Sequence, residues 1–284
     1  MINVHFEAMD RQSMALVRSA EKMAKFLREH EPYRRPFCDV LRDSAKWHYT
    51  NCKQEMEDFK SQILKKRKKS EDDEAYISLL DALFGHVRSE DDLHDMRGIM
   101  PEQILLCQVK QGHCRNDGWR IETGCAVKIN NQKIVCKASV GNLEKTKQTV
   151  DLGAWQHNKQ IGRFVEAKVA PDTFKKFDSD YLKCLRTALQ QYPEVQFKIC
   201  IFAIDRAELV RNAVLQAGYD IDANTEIIGR DDIFHTNFLE VPLKASRGIL
   251  SCKCAFCIHV LTIEFIQRFQ KGSQIFFIFR YVGF

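Results

Sequence analysis

TVDLGAWQHNKQIGRFVEAKV, residues Thr149–Val169, is the stretch that decides the fold. Its two ends are apolar and rich in residues that favour strands, and its polar middle is long enough to turn the chain. The pattern predicts two neighbouring strands, Thr149–Ala154 and Gly162–Val169. Because side chains alternate between the two faces of a strand, Glu166 and Lys168 are predicted to share one face.

The acidic residues of this stretch suit a metal site. Asp151 lies on the first predicted strand and Glu166 on the second. Hard cations such as Mg²⁺ bind one or two carboxylates together with water and phosphate. Such an ion polarises a phosphodiester and lowers the pKa of the attacking water. Lys168 would then orient the water or stabilise charge on the phosphate.

The segments after this stretch predict the rest of an α/β core. Phe177–Tyr192 carries apolar residues at helical spacing, and a second helix is predicted over residues 206–217. Between them Phe197–Ile204 is almost wholly apolar, which is typical of a strand buried in the middle of a sheet. The alternation of helices and strands predicts a central sheet with helices on both faces.

The segments before it add a helix and two strands. Pro101 is predicted to lie in the first turn of a helix, because proline suits that position. Strands are predicted over Trp119–Asn130 and Lys133–Lys137, with a hairpin turn at Asn130-Asn131. The chain is therefore divided into a helical amino-terminal region (1–97), a core (98–248) and a cysteine-rich, apolar carboxyl-terminal segment (249–284).

These residues resemble the PD-(D/E)xK nuclease superfamily, whose pattern is an acid on one strand and (D/E)-x-K on the next. Asp151, Glu166 and Lys168 match the pattern, and Val150 stands where the name-giving proline would be. The family often has a glutamate on an upstream helix. Glu102 is the candidate for it.

The resemblance covers roughly residues 98–217, and Glu122 on the preceding strand is an alternative to Glu102. It implies a restriction-endonuclease-like mixed sheet flanked by helices. It also implies Mg²⁺, or Mn²⁺ in its place, bound by Asp151, Glu166 and Glu102. The implied activity is hydrolysis of DNA phosphodiester bonds, as in restriction or genome-defence endonucleases, with a homodimer as a possible assembly.

The tripeptide alone is a weak signal, because the chain contains a second match. Asp58-Phe59-Lys60 has the same spacing but lies in a segment with helical periodicity and no acidic strand before it. The strand setting and the upstream Asp151 therefore favour Glu166-Ala167-Lys168. An exposed ion pair without function is the alternative interpretation of that tripeptide.

The positive charge of the chain is concentrated around the predicted site. The 284 residues carry a net charge of +5, but residues 128–186 hold twelve Lys and Arg against six Asp and Glu. Such a segment attracts a polyanion. The predicted phosphate contacts come from the basic residues of this segment, namely Lys128, Lys133, Lys137, Lys145, Lys147, Lys159 and Arg163.

Further features bear on ligands and compartment. Three thiols and an imidazole, Cys252, Cys254, Cys257 and His259, are zinc-ligand types, but their spacing is more compact than that of structural zinc sites. The eleven cysteines and the lack of a signal-peptide pattern predict reduced thiols and a cytoplasmic protein. The most apolar stretch, Ile249–Ile266, contains charged residues, so no membrane span is predicted.

Two other functions remain open at this point. The first is a catalytically inactive protein on the same fold that binds nucleic acid or a protein partner. The second is a scaffold in which residues 1–97 mediate contacts between helices. Salt-sensitive DNA binding that needs no metal would favour the first. Failure to retain DNA at low salt would favour the second.

Overall fold

A mixed sheet forms the centre of the computed structural model, which describes residues 1–9, 13–65, 70–111, 118–140, 143–235 and 239. The strands in these residues are β1 (Val4–Ala8), β2 (Trp119–Ile129), β3 (Gln132–Lys133), β4 (Cys136–Val140), β5 (Leu143–Lys147), β6 (Thr149–Gln156), β7 (Ile161–Lys168), β8 (Gln196–Ala203) and β9 (Thr225–Ile228). The main sheet has the order β1-β2-β6-β7-β8-β9, with β3 paired to β2, whereas β4 and β5 form a separate two-stranded sheet.

The type of strand pairing changes once along this order, from antiparallel to parallel. Neighbouring strands from β1 to β7 are antiparallel, whereas β8 is parallel to β7 and β9 is parallel to β8. The parallel strand β8 is buried on both faces, and Ile199 and Ile201 have no exposed surface. Burying each such side chain stabilises the fold by roughly 1.5–3 kcal/mol. The apolar run of β8 therefore forms a buried interior strand of the sheet, between β7 and β9.

Helices cover both faces of the sheet. They are α1 (Met14–Glu29), α2 (Arg34–Asp43), α3 (Tyr49–Lys65), α4 (Glu71–Phe84), α5 (Glu90–Gln111), α6 (Lys176–Gln190) and α7 (Ala207–Gln216). The first five pack on one face in a core that includes Val165 and Phe202 of the sheet. The last two pack on the other face in a core that includes Phe164 and Ile201. The result is a mixed α/β protein in three layers.

A charge block follows α3, in which residues 66–69 are basic and residues 71–74 are acidic, and its acidic half begins a helix. Ser70 accepts a hydrogen bond from the backbone N–H of Asp73, and the Asp73 carboxylate accepts one from the N–H of Ser70, which is a capping box. The first turn of α4 holds four acidic residues, which suit the positive end of the helix dipole. The basic half of the block, residues 66–69, lies outside the described residues.

The helix α5 corrects one prediction. It begins at Glu90, so Pro101 lies in its interior and not in its first turn. An interior proline removes one hydrogen bond and costs about 3 kcal/mol. Met96, Met100 and Ile104 on either side are almost fully buried, and this packing keeps the helix continuous. Because α5 runs through residues 97 and 98, the predicted boundary there does not divide the fold.

The chain separates at another place, into one compact unit of Met1–Lys244 and a second of Ala245–Phe284. The second unit, like the predicted segment 249–284, lies outside the described residues. Among the helices that the structure describes, none is long and apolar enough to cross a membrane.

Most of the predicted strands and helices of the core are confirmed. The predicted turn at Asn130-Asn131 joins β2 to β3, and both residues have positive φ angles of 50° and 67°. This is the backbone of a two-residue hairpin, for which asparagine is well suited. The predicted strand Lys133–Lys137 is wrong, because residues 134–135 are not in a strand and its ends belong to β3 and β4 in two different sheets. Three strands were not predicted from the sequence: β1, β5 and β9.

Candidate functional site

The site lies where the ladder between β6 and β7 ends. The two strands pair from Gln156↔Ile161 to Leu152↔Val165, so the next opposing residues are Asp151 and Glu166. There the Asp151 carboxylate accepts a hydrogen bond from the backbone N–H of Ala167 at 2.6 Å. A side chain therefore replaces the strand partner at this point. The acidic residue of β6 is fixed beside the (D/E)-x-K residues of β7.

The neighbouring strand β2 is also irregular at this level. Its register with β6 is regular on both sides of Asp151, at Thr123↔Leu152 and Cys125↔Val150. Gly124, which lies between them, has a φ of 50°. Glycine adopts this left-handed conformation without the steric cost that other residues have. The two strands that neighbour Asp151 thus both depart from a regular ladder at its level, β2 at Gly124 and β7 at Ala167.

The alternation predicted for β7 is confirmed. Phe164 belongs to the core under α6, whereas Val165, Ala167 and Val169 belong to the core under the amino-terminal helices. Glu166 has no exposed surface, and its contacts lie on the α6 side. An uncompensated carboxylate in such a position costs several kcal/mol, so buried charges are paired.

Two lysines compensate Glu166. Its Oε1 accepts hydrogen bonds from the ammonium groups of Lys147 and Lys168, each at 2.6 Å. Its Oε2 is buried without a hydrogen-bond partner among the described residues. The pKa of Glu166 is raised to about 7, mainly by burial and also by Asp151, while the two lysines oppose the shift. One oxygen of a fully buried carboxylate is thus available for a further ligand.

A third carboxylate, Asp178 on α6, completes the cluster. Its Oδ1 accepts hydrogen bonds from Lys147 at 2.7 Å and Lys168 at 3.2 Å, and its Oδ2 accepts one from the backbone N–H of Lys175 at 2.8 Å. Burial raises the pKa of Asp178, but the two lysines outweigh burial and lower it to about 2. Asp178 is therefore ionised, and it holds both ammonium groups.

Both lysines of the cluster remain protonated. Burial by itself lowers the pKa of Lys168, but Glu166, Asp151 and Asp178 raise it overall. The pKa of Lys147 is raised for the same reason, with Glu166 as the main cause that opposes burial. Each lysine can therefore donate hydrogen bonds but cannot act as a base near neutral pH.

The charges of the cluster decide what it can bind. With Glu166 ionised, three carboxylates face two ammonium groups, and the sum is −1. The described residues contain no group of three or more His, Cys, Asp or Glu side chains arranged to hold a metal ion. Mg²⁺ does not need an all-protein shell, because it keeps several waters and takes one or two carboxylates. Asp151 and the free Oε2 of Glu166 fit that requirement.

The other predicted acids lie on α5 and β2. Glu102 is 6% exposed in α5, which packs on the face of the sheet opposite to the Glu166 cluster. Glu122 lies on β2 opposite Gly153 of β6. The assignment of Glu102 as a metal ligand stays a prediction. The suggested zinc ligands, Cys252, Cys254, Cys257 and His259, lie outside the described residues.

The predicted phosphate contacts have different surroundings. Lys147 lies in the cluster itself, and Lys145 precedes it by two residues on the same face of the β4–β5 hairpin and is exposed. Lys159 is exposed in the turn between β6 and β7, at the opposite end of both strands from the site. Lys137 is exposed on the hairpin, on its opposite face, because it pairs with Thr146.

Three further basic residues are paired elsewhere. Lys128 and Lys133 both form ion pairs with Glu7 of β1. Arg163 is 3% exposed and pairs with Glu226 at 3.1 Å. Because its guanidinium lies inside the fold, the prediction that Arg163 contacts phosphate does not agree with its burial.

Lys147 and Asp178 are the two residues of the cluster that the sequence does not predict as part of the Glu166 centre. The sequence predicts a phosphate contact for Lys147 and assigns nothing to Asp178. A helix start after Lys175 predicts a capping acid at the position of Asp178, which was an available signal. No family model matches the chain, and no curated protein is similar to it in sequence.

Proposed function

We propose that the protein is a metal-dependent nuclease of the PD-(D/E)xK type that hydrolyses phosphodiester bonds in DNA. The observation that carries this proposal is the fully buried Glu166, which has two lysines on one carboxylate oxygen and no partner on the other. It lies at the strand end beside Asp151, with Lys168 on its own face. A stable core without a function gains little from such a group.

The order of the elements supports the same class. The sequence of α5, β2, β6, β7, α6 and β8 is a helix, three antiparallel strands, a helix and a strand parallel to the last of the three. This is the arrangement expected of a restriction-endonuclease-like core. The two motif strands are adjacent, as that fold requires.

The roles of the residues follow from their surroundings. Asp151 and Glu166 would hold the ion, and Glu102 is a further ligand by prediction. Bound Mg²⁺, or Mn²⁺ in its place, polarises the phosphodiester and lowers the pKa of the attacking water. Because Lys168 stays protonated, it would donate hydrogen bonds to the phosphate or to the water. Asp178 would keep the Lys168 ammonium in place.

A nucleic acid is proposed as the substrate because of the positive charge near the site. The exposed Lys145 lies on the same hairpin face as Lys147, and Lys175 and Lys176 are exposed at the start of α6. These lysines lie on the hairpin and the helix that carry Lys147 and Asp178, and Lys176 also pairs with Asp180. Exposed ammonium groups there would contact the phosphates of a nucleic acid. A homodimer and a cytoplasmic location remain predictions.

The test is cleavage of supercoiled plasmid DNA in the presence of Mg²⁺. We expect the wild-type protein to nick the plasmid, and Asp151→Asn to lose the activity because it removes a metal ligand. Asp58→Asn is the matched control, since Asp58 belongs to the other tripeptide and is exposed on α3. Equal rates for all three proteins would exclude the proposed function.

A second function is favoured by one observation. The two ammonium groups already carry the charge of a divalent ion, so the cluster is nearly neutral without metal. In that case the protein would be an inactive member of the fold that binds nucleic acid through its lysines. Salt-sensitive retention of DNA in EDTA, without cleavage of DNA when Mg²⁺ is added, would identify it.

A further inference from the structure

Lys147 differs from Lys168 in where its backbone lies. Lys168 is on β7, two residues after Glu166 and in register with Ala203 of β8. Lys147 is the last residue of β5, which belongs to the separate two-stranded sheet. Lys168 is therefore held by the central sheet. Lys147 can change position without breaking a pair of that sheet.

Lys147 also has an alternative partner within reach. Its ammonium is 2.6 Å from Glu166 Oε1 and 2.7 Å from Asp178 Oδ1, so it bridges two carboxylates at nearly equal distances. Asp178 is held in turn by the backbone N–H of Lys175. If Glu166 takes another cation, the Lys147 ammonium keeps a charged hydrogen bond to Asp178. The loss of one bond then does not leave a buried charge unpaired.

We infer that Lys147 is a built-in counter-ion, which neutralises Glu166 in the free protein and which a divalent ion displaces toward Asp178. This inference rests on the proposed function, because it concerns the same Glu166 centre. Its consequence is that metal binding at Oε2 is weakened by the positive charge of Lys147 on Oε1, which repels the ion and is pushed toward Asp178. The protein would gain a centre that stays folded without metal at a net charge of only −1, and the Lys147 ammonium would move from Glu166 to Asp178 when metal binds.

The direct test is the dissociation constant for Mn²⁺, measured by calorimetry in alkaline buffer where Glu166 is ionised. We expect Lys147→Met to bind Mn²⁺ at least about tenfold more tightly than wild type, because a positive charge next to the ion is removed. Lys145→Met is the matched control on the same hairpin face, and we expect its affinity to stay within about twofold of wild type. Glu166→Gln should abolish binding, which would identify Glu166 as a ligand of the measured Mn²⁺ site.

The outcomes separate the two proposals. Equal or weaker binding by Lys147→Met would overturn the counter-ion role and leave the nuclease proposal standing. No binding of Mn²⁺ to the wild type or to any variant would overturn both. Binding that survives Glu166→Gln would place the metal elsewhere, which also overturns both.

A second measurement uses the unaltered protein, in case Lys147→Met does not fold. Reductive methylation followed by mass spectrometry reports how accessible each lysine is. We expect Lys147 to be protected without metal, and its labelling to increase severalfold when Mg²⁺ is added, with Lys145 labelled equally in both states. Unchanged protection of Lys147 at saturating Mg²⁺ would contradict the inference.

Discussion

The chain contains two acid-x-lysine tripeptides, and the fold gives them different surroundings. Asp58 and Lys60 lie on α3, where residues two positions apart do not face each other. Asp58 is exposed and accepts a hydrogen bond from Gln54, while Lys60 pairs with Glu57 and Asp81. Those two partners of Lys60 are more than half exposed.

On β7 the same spacing has the opposite result. Glu166 and Lys168 share a face, and their groups are in contact at 2.6 Å. Glu166 has no exposed surface, whereas the acids around Lys60 reach water. Whether the acid and the lysine of the tripeptide interact therefore depends on secondary structure and burial. A strand places the two charges together, and the two cores around the sheet remove water from the acid.

The largest difference between variants of the two tripeptides is expected in the rate of DNA cleavage. Lys168→Met should lower the rate of Mg²⁺-dependent plasmid nicking by about a thousandfold, which corresponds to about 4 kcal/mol of transition-state stabilisation. Lys60→Met should leave the rate within about twofold of wild type, because α3 is remote from the proposed chemistry. Rates from a nicking time course compare the two variants. Equal losses would mean that folding, and not the site, limits activity.

The next difference is in stability. Lys168→Met removes one of the two charges that compensate a fully buried carboxylate, so we expect it to lower the free energy of unfolding by about 3 kcal/mol. The same change at Lys60 should cost about 1 kcal/mol or less, since water can solvate the carboxylates that it leaves. Urea unfolding at slightly alkaline pH measures both. A larger loss for Lys60→Met would contradict the difference in burial on which the comparison rests.

The charge of Asp178 should make the free energy of unfolding depend on pH. Its folded-state pKa of about 2 lies below the unfolded value of about 3.9, so its contribution is present above the unfolded pKa and is lost as the pH falls through the folded one. Wild type should exceed Asp178→Asn by about 2 kcal/mol above about pH 5, and the difference should disappear between about pH 4 and pH 2.

Unfolding of both proteins over this pH range tests the assignment. Asp58→Asn serves as the control, because Asp58 is exposed and contacts no lysine of the cluster. A difference between wild type and Asp178→Asn that stays constant down to about pH 2 would show that the Asp178 charge is not the cause.

The smallest effect is expected at Glu166 itself. Glu166→Gln keeps the shape of the side chain but removes a buried charge, one oxygen of which has no partner. We expect its free energy of unfolding to be within about 1 kcal/mol of wild type, or higher. Thermal unfolding monitored by circular dichroism is sufficient to measure it. A loss of more than about 3 kcal/mol would indicate a structural role for the carboxylate.

Much of the core followed from local patterns, because those patterns have local causes. The apolar run of β8 and the alternation along β7 depend on neighbouring residues, and the structure confirms both. The predicted helix start at Pro101 is wrong because proline is a local signal. The continuity of α5 depends instead on burial against distant residues. The short strand β1 has only five residues, too few for a clear period.

The contacts of the Glu166 cluster show which part of a site local sequence patterns do not predict. The Glu166–Lys168 pair was predictable, since its two members are two residues apart on one strand. Lys147 reaches Glu166 from a separate hairpin, 19 positions away, and Asp178 reaches the same lysine from a helix, 12 positions after Glu166. Nothing in a single sequence indicates which distant charges meet. The compensation of Glu166 could therefore be seen only in the folded protein.

A crystal structure of the protein soaked in Mn²⁺, with an anomalous difference map, tests whether Glu166 and Asp151 bind the metal. We expect a peak about 2.1 Å from oxygens of Glu166 and Asp151, with the Lys147 ammonium moved from Glu166 to Asp178. A map without a peak there, in which Lys147 and Lys168 still contact Glu166, would contradict it. The cluster would then be a buried ion-pair network without a metal-dependent function.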